Sequence, residues 1–165
     1  MIKKRGFTLI ELLVVIAIIG LLSSIVLVGL KGVRERAEDA KTVREVEEIT
    51  KALMLYAADH DGNYPLPGAS PQCLGIGPDA TCQYIHYSAG VQSGGGNDWL
   101  NGEIDDYISP IPHPKTCGDY NSYVYYYTGY IVWPFKTSAV TCPGEAHINI
   151  DDCDRQWCWQ QLPSL

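Results

Sequence analysis

The first 62 residues contain no cysteine and no proline, and only two of the chain's 17 aromatic residues, Phe7 and Tyr56. Without proline nothing in that stretch forces a helix to stop. Without cysteine, covalent cross-linking is confined to the residues beyond Gly62. Charge is scarce as well: between Phe7 and Leu30 the only formally charged side chain is Glu11. Cations are in deficit overall, 12 Lys and Arg against 19 Asp and Glu, for a formal net charge of −7. That balance excludes nucleic-acid binding through a broad basic face. Catalytic signatures are missing too. There is no Gly-x-Ser-x-Gly, P-loop, Gly-x-Gly-x-x-Gly or His-Glu-x-x-His, and His60, His86, His113 and His147 are scattered. With 46% apolar and 19% charged residues the chain is not bulk-disordered. Its 165 residues suit one domain, or one domain with a tail. The uneven distribution makes it a molecule of two parts, and a purely soluble cytosolic enzyme does not fit.

What the first part does have is an apolar run. Phe7 to Leu30 reads FTLIELLVVIAIIGLLSSIVLVGL, 24 residues. As a helix this spans roughly 36 Å, enough for a hydrocarbon core of ~30 Å with some tilt. Lys3, Lys4 and Arg5 precede it, and positive flanks stay cytoplasmic, so the remainder is expected outside. A cleaved secretory signal fits poorly. The run is longer than a signal's apolar region. The residues after it are Lys31, Gly32, Val33 and Arg34, with no Ala-x-Ala-like site. An acid also stands near its start. A carboxylate in a membrane helix is costly. Glu11 therefore either snorkels to the headgroups or is neutralised by a partner in an assembly.

The segment Lys4-Arg5-Gly6-Phe7-Thr8-Leu9-Ile10-Glu11-Leu12 resembles the class III leader of type IV prepilins and of type II secretion pseudopilins. The resemblance covers about the first 65 residues well and the rest loosely. It implies that a prepilin peptidase cuts after Gly6 and N-methylates the new terminus, Phe7. It also implies that Glu11 pairs with the Phe7 ammonium of a neighbouring subunit during filament assembly. A cationic terminus at Phe7 is the charge partner that a membrane carboxylate lacks. Cleavage would remove three cations and take the formal charge from −7 to −10. Glu11 and Phe7 are four positions apart, so they meet between helices staggered along their axes. Many members of the family carry a proline in this helix where Val28 stands here, a departure that mildly favours the pseudopilins.

Residues 31–61 keep helical periodicity. Val33, Ala37, Ala40, Val43, Val46, Ile49, Leu53 and Tyr56 recur every three or four positions, one narrow apolar stripe on a charged helix. The stretch holds six cations and eight acids, so the remaining faces are solvated rather than nucleic-acid-binding. The helix is expected to stop at Asp61-Gly62-Asn63-Tyr64-Pro65, where glycine can take the left-handed conformation and proline forbids continuation. That junction also resembles the one in G-type pseudopilins and short pilins.

The second part is rich in turns and aromatics. Pro67 to Pro71 and Ser93-Gly94-Gly95-Gly96-Asn97 read as loops. Trp99 to Ile108 holds a short helix or turn, and Ser109 to Pro114 is extended. Tyr123–Thr128 and Tyr130–Trp133 form a hairpin through Gly129, with a third strand near Ala146 to Ile150. The tyrosines fit strands packed on a helix better than a carbohydrate or electron-transfer surface. Six cysteines, Cys73, Cys82, Cys117, Cys142, Cys153 and Cys158, come after the export segment, and an even count outside the cytoplasm favours disulfides. Cys73–Cys82 and Cys153–Cys158 are the expected local staples, leaving Cys117–Cys142. Zinc is disfavoured, since no Cys-x2-Cys pair occurs. Asp151, Asp152 and Asp154 make an acidic loop with oxygen ligands suited to calcium. Some major pseudopilins have a calcium loop there. The stretch those proteins write as Pro-x-Asp-Pro is Ile111-Pro112-His113-Pro114 here, without the acid.

The expectation is an α+β, pilin-like lollipop. It comprises a leader (1–6), a transmembrane or filament-core helix (7–30), an amphipathic helix packed on the head (31–61) and a head with disulfide-stapled loops around a small antiparallel sheet (62–165). The expected function is structural: a homo-oligomeric helical filament. Its partners are prepilin peptidase, an inner-membrane assembly platform with its ATPase, and membrane lipid. No cofactor is expected beyond a structural calcium. The other readings are a type II secretion pseudopilin, a minor pilin for DNA uptake or adhesion, and a membrane-anchored binding module. From Gly62 onward the chain carries ten acids and three cations, so the head is not expected to bind nucleic acid.

Overall fold

The computed structural model describes residues 7–66, 71–75, 81–86, 90–96, 98–114, 122–126, 128–136, 140–148 and 156–164. For residues 27–28, 81, 83–86, 90–96, 98 and 145–148 the description is of backbone alone. The elements are α1 (Leu9–Asp59), β1 (Gln72–Leu74), β2 (Thr81–His86), β3 (Gly90–Gly96), α2 (Asp98–Asp105), β4 (Tyr123–Tyr126), β5 (Tyr130–Phe135), β6 (Glu145–Ile148) and β7 (Gln156–Gln161). The α+β class read from the sequence holds. By packing, the chain divides into two units, Met1–Ala37 and Glu38–Leu165.

In the first unit the helix is continuous, as the absence of proline permits. Every side chain described from Phe7 to Val26 is exposed. The stretch is long and apolar enough to cross a membrane, and its most apolar window buries nothing within the chain. The two hydroxyls inside the run turn back onto the helix. Ser23 Oγ–H donates to the Ile19 carbonyl at 2.7 Å, and Ser24 Oγ–H to that of Leu21 at 2.7 Å. Polar groups in an apolar solvent must be satisfied internally in this way.

In the second unit the remainder of α1 buries Val46, Ile49, Ala52, Leu53, Tyr56 and Ala57. The expected stripe is realised only from Val43, which packs on this core. Val33, Ala37 and Ala40 are exposed. The turn facing inward there holds Asp39, 3% exposed, whose Oδ1 accepts the Lys136 backbone N–H at 2.8 Å. Lys136 directly follows β5, so a polar strand-end contact occupies the place that an apolar stripe residue would take. The helix ends at Asp59, two residues before the expected stop. Gly62 N–H closes back on the Ala57 carbonyl at 2.7 Å, with Asp61 at φ 53° and Gly62 at φ 80°. Both the aspartate and the glycine enter the left-handed region that ends helices.

Beyond the helix the strands form one sheet of seven, in the order β2-β3-β1-β4-β5-β7-β6. Its pairings are antiparallel except β1 with β3. The anticipated hairpin is β4–β5, closed by Gly129 at φ 82° with its N–H on the Tyr126 carbonyl at 2.9 Å. β6 is the anticipated third strand. Strand alternation divides the aromatics. Tyr123, Tyr125, Ile131, Trp133 and Phe135 join the α1 residues in one core cluster, while Val124, Val132, Trp157 and Trp159 form a second with Cys73 and Cys82.

The glycine run does not form the expected loop. Ser93, Gly94 and Gly95 pair with Gln83, Cys82 and Thr81, and Gly95 also pairs with Gln72 of β1. A strand between two others is held by main-chain bonds on both sides, which glycine supplies as well as any residue. The Pro67–Pro71 loop lies outside the described residues except for Pro71.

Candidate functional site

The start of α1 is built by four hydrogen bonds. Thr8 is the N-cap, since its carbonyl accepts the first helical bond from Leu12 N–H at 3.3 Å. Glu11 N–H donates to Thr8 Oγ1 at 3.3 Å. In return, Glu11 Oε2 accepts the Thr8 backbone N–H at 2.9 Å and the Thr8 hydroxyl at 2.7 Å. This is the reciprocal capping box of a Thr-x-x-Glu sequence. The spacing is present in the sequence, but there a lone charge inside an apolar run is the stronger signal and points to a missing cation instead. Phe7, 80% exposed, precedes the box. Gly6 lies outside the described residues. The structure therefore brings Glu11 to Thr8, and no described residue supplies it with a positive partner.

The cysteines are placed in part. Cys73 bonds Cys82, as expected, with Cα atoms 6.1 Å apart. Cys142 bonds Cys158, with Cα atoms 5.6 Å apart. This overturns the expected Cys153–Cys158 and Cys117–Cys142 pairs. The reason is the strand. Cys158 sits within β7, two residues past its start at Gln156, and an extended chain carries near neighbours apart at about 3.3 Å per residue. Its cross-strand partner is Ala146 of β6, so the segment entering β6 delivers Cys142. Cys117, Cys153 and the calcium candidates Asp151, Asp152 and Asp154 lie outside the described residues. Among the described residues no group of three His, Cys, Asp or Glu is placed to hold a metal.

A second convergence of polar groups surrounds the exit of α1. The Tyr125 hydroxyl donates to the Pro65 carbonyl at 2.8 Å, and Tyr64 to Pro163 at 2.6 Å. The Tyr107 hydroxyl donates to Asp59 Oδ2 at 2.9 Å, and His60 stacks on Tyr56 at 3.8 Å. Burial pushes the Tyr125, Tyr64 and Tyr56 hydroxyls up, with Glu103 adding to the rise at Tyr56. The bond to Asp59 leads the rise at Tyr107. These phenols stay protonated donors and tie the junction, the sheet and the C-terminal segment together. An open groove of about 460 Å³ beside them is lined, among the described residues, by uncharged side chains including Tyr64, Thr128, Gln161 and Ser164.

Residues 1–27 match the model of a family described as the prokaryotic N-terminal methylation motif. That motif is the class III prepilin leader of type IV pilins and pseudopilins. No curated protein and no solved structure gave a significant match to the chain.

Proposed function

We propose that the chain is a structural subunit of a type IV pilus-like filament rather than an enzyme. The observation that carries the reading is a methylation motif at the head of a helix whose apolar side chains, from Phe7 to Val26, are all exposed. In a membrane those side chains meet lipid; in a filament they meet the same stretch of other subunits. Either solvent takes up the apolar area that the chain leaves uncovered. Prepilin peptidase would cut between Gly6 and Phe7 and methylate Phe7. Glu11 would accept the Phe7 ammonium of a neighbouring subunit and set the axial stagger, a use of polar pairing for register rather than for stability. The cations before Phe7 would stay cytoplasmic and the head would lie outside, where its disulfides suit an oxidising compartment.

A pseudopilin of a type II secretion system is the second reading. Val28 and the Asp61-Gly62-Asn63-Tyr64-Pro65 junction favour it, and the missing acid in Ile111-Pro112-His113-Pro114 opposes it. Intact-mass and N-terminal analysis of the chain, from a host with prepilin peptidase, tests the common premise. A mature terminus at N-methyl-Phe7 is expected. A terminus beyond Leu30 would make the segment an ordinary export signal and end both readings.

A further inference from the structure

We propose that the open groove beside the exit of α1 is a binding site for an uncharged saccharide, a function that goes beyond the filament reading and does not depend on it. The groove encloses about 460 Å³, within the range of small-molecule sites. Three segments distant in sequence build it: Tyr64 after α1, Thr128 and Gly129 in the β4–β5 turn, and Gln161 with the residues that follow β7. Two hydrogen bonds hold these segments together. Leu162 N–H donates to the Gly129 carbonyl at 2.8 Å, and the Tyr64 hydroxyl donates to the Pro163 carbonyl at 2.6 Å. The walls are therefore tied before any ligand arrives, which lowers the ordering cost of binding.

The lining decides the chemistry of the ligand. Thr128, Gln161 and Ser164 are exposed, so two hydroxyls and an amide are open to an incoming molecule. Each of these groups both donates and accepts hydrogen bonds. Sugar hydroxyls do the same, so every such contact forms in either sense. A charged ligand fits less well. Among the described residues no side chain lining the groove is charged, so an ion would lose water there without gaining a counter-charge. An anion would also meet the field of a head with ten acids and three cations from Gly62 onward. The rings of Tyr64 and Pro163 add apolar surface against which the C–H face of a pyranose packs.

The test uses the full chain in micelles of a zwitterionic detergent that has no sugar headgroup. Lactose, cellobiose, mannobiose and chitobiose are titrated, and saturation-transfer NMR reads which ligand protons touch the protein. Sialyllactose and a blocked neutral tripeptide are the comparison ligands. At least one neutral disaccharide is expected to bind with a Kd of about 1 mM. Gln161→Leu and Thr128→Val are each expected to weaken that binding about fivefold, the scale of one hydrogen bond. Both side chains are exposed, so near-ultraviolet dichroism of the head should not change. No response from any of the four sugars at about 10 mM overturns the proposal. Binding that neither variant weakens also overturns it, because the sugar then sits elsewhere on the chain. Sialyllactose bound as tightly as lactose, or displacement of the sugar by the tripeptide, overturns the ligand class. Each of these results leaves the filament reading intact, since that reading is decided by the mature terminus.

Discussion

Two stretches of the same helix make opposite uses of apolar side chains. From Phe7 to Val26 all side chains are exposed, while between Val46 and Ala57 Ile49, Leu53 and Ala57 are wholly buried. Backbone geometry is common to both, so secondary structure does not account for the difference. What differs is the solvent each stretch expects. The later stretch has its partner, a sheet, encoded in the same chain, and its polar positions alternate with apolar ones. The earlier stretch has almost no polar positions to alternate with. On the function proposed above, its covering comes from outside, as lipid or as other copies. A helix with a single face to hide reads as part of a fold, and one apolar all round reads as part of an assembly.

The largest effect is expected where the outside partner is engaged. Glu11→Leu should lower filament yield by about tenfold or more, since a charge-assisted contact is lost. Membrane insertion should be unchanged or improved. Electron microscopy of sheared material and membrane fractionation read the two outcomes separately. Normal assembly by Glu11→Leu would make Glu11 a residue of the monomer alone, and the contrast between the two stretches would lose its functional meaning.

Next come changes to the head that leave the first stretch untouched. A β-carbon on Gly144 would lie 1.8 Å from the Trp159 carbonyl oxygen, backbone that cannot swing aside. Gly144→Ala should destabilise the head by about 3 kcal/mol or more, at the upper end of overpacking costs. Replacing Cys142 and Cys158 together by serine removes a bridge that closes 16 residues, worth about 3 kcal/mol. Denaturation of the purified chain in detergent micelles, monitored by near-ultraviolet dichroism of the head's tryptophans, measures both. Helicity of the apolar stretch should not change. Non-reducing peptide mapping should recover Cys73 linked to Cys82 and Cys142 linked to Cys158. If all six thiols are oxidised, the remaining linked peptide joins Cys117 and Cys153. Recovery of Cys153 linked to Cys158 would overturn the pairing.

The contrast also explains which parts were legible in the sequence. The leader motif, the apolar helix and its stop near Gly62 are local, and each depends on residues within a few turns. The β4–β5 hairpin is likewise local, with a glycine at its turn. The rest depends on register. Gly90–Gly96 carries the composition of a loop, yet it lies between two strands that occur elsewhere in the chain. β7, QWCWQQ, is buried at Trp157, Cys158 and Trp159 alike, so it lacks the alternation by which a strand is recognised. Cys158 meets Cys142 because β6 lies beside β7, which no spacing along the chain reveals. At the start of α1, Glu11 was legible by its charge. Thr8 was legible in principle through the Thr-x-x-Glu spacing, but a threonine draws no notice until its hydroxyl is seen on the carboxylate.

A smaller effect belongs to the tyrosine ring around the exit of α1. Tyr125→Phe leaves the Pro65 carbonyl without its donor and should cost about 1 kcal/mol. The pH dependence comes from the direction of the shifts. Tyr125, Tyr64 and Tyr56 titrate above their ordinary range in the folded head, while unfolded tyrosine titrates near ~10. Above that pH the unfolded chain releases protons that the folded chain still holds. The contribution of these phenols is fully present below about pH 10 and is lost as pH rises toward the folded values. Thermal melts between neutral pH and pH 11 should show this decline in wild type and a shallower one in Tyr125→Phe. A head equally stable at both pH values would contradict the assignment of these hydroxyls as buried donors.

The smallest effect sets the two units against each other with the same chemistry. Lys31 and Glu35 pair across one helical turn at 3.9 Å, with the lysine side chain 84% exposed. Lys136 and Glu38 pair at 3.3 Å with both side chains under a third exposed, beside the buried Asp39 carboxylate that accepts the Lys136 N–H. Water and salt screen the first pair almost completely, and two long side chains must be held in place to form it. The second pair is shielded and already ordered by its backbone bond. Lys31→Ala should therefore change stability by less than about 0.5 kcal/mol, with no further change when salt is raised. Lys136→Ala should cost more, about 1 kcal/mol at the upper end for such pairs, because the Lys136 ammonium is removed from a half-buried contact with Glu38. Denaturant titrations of both variants, at low and high salt, order the two. If Lys31→Ala proves the more damaging, the helix before Glu38 is supported by its own surface pairs, and the idea that it waits for an outside partner loses its physical ground.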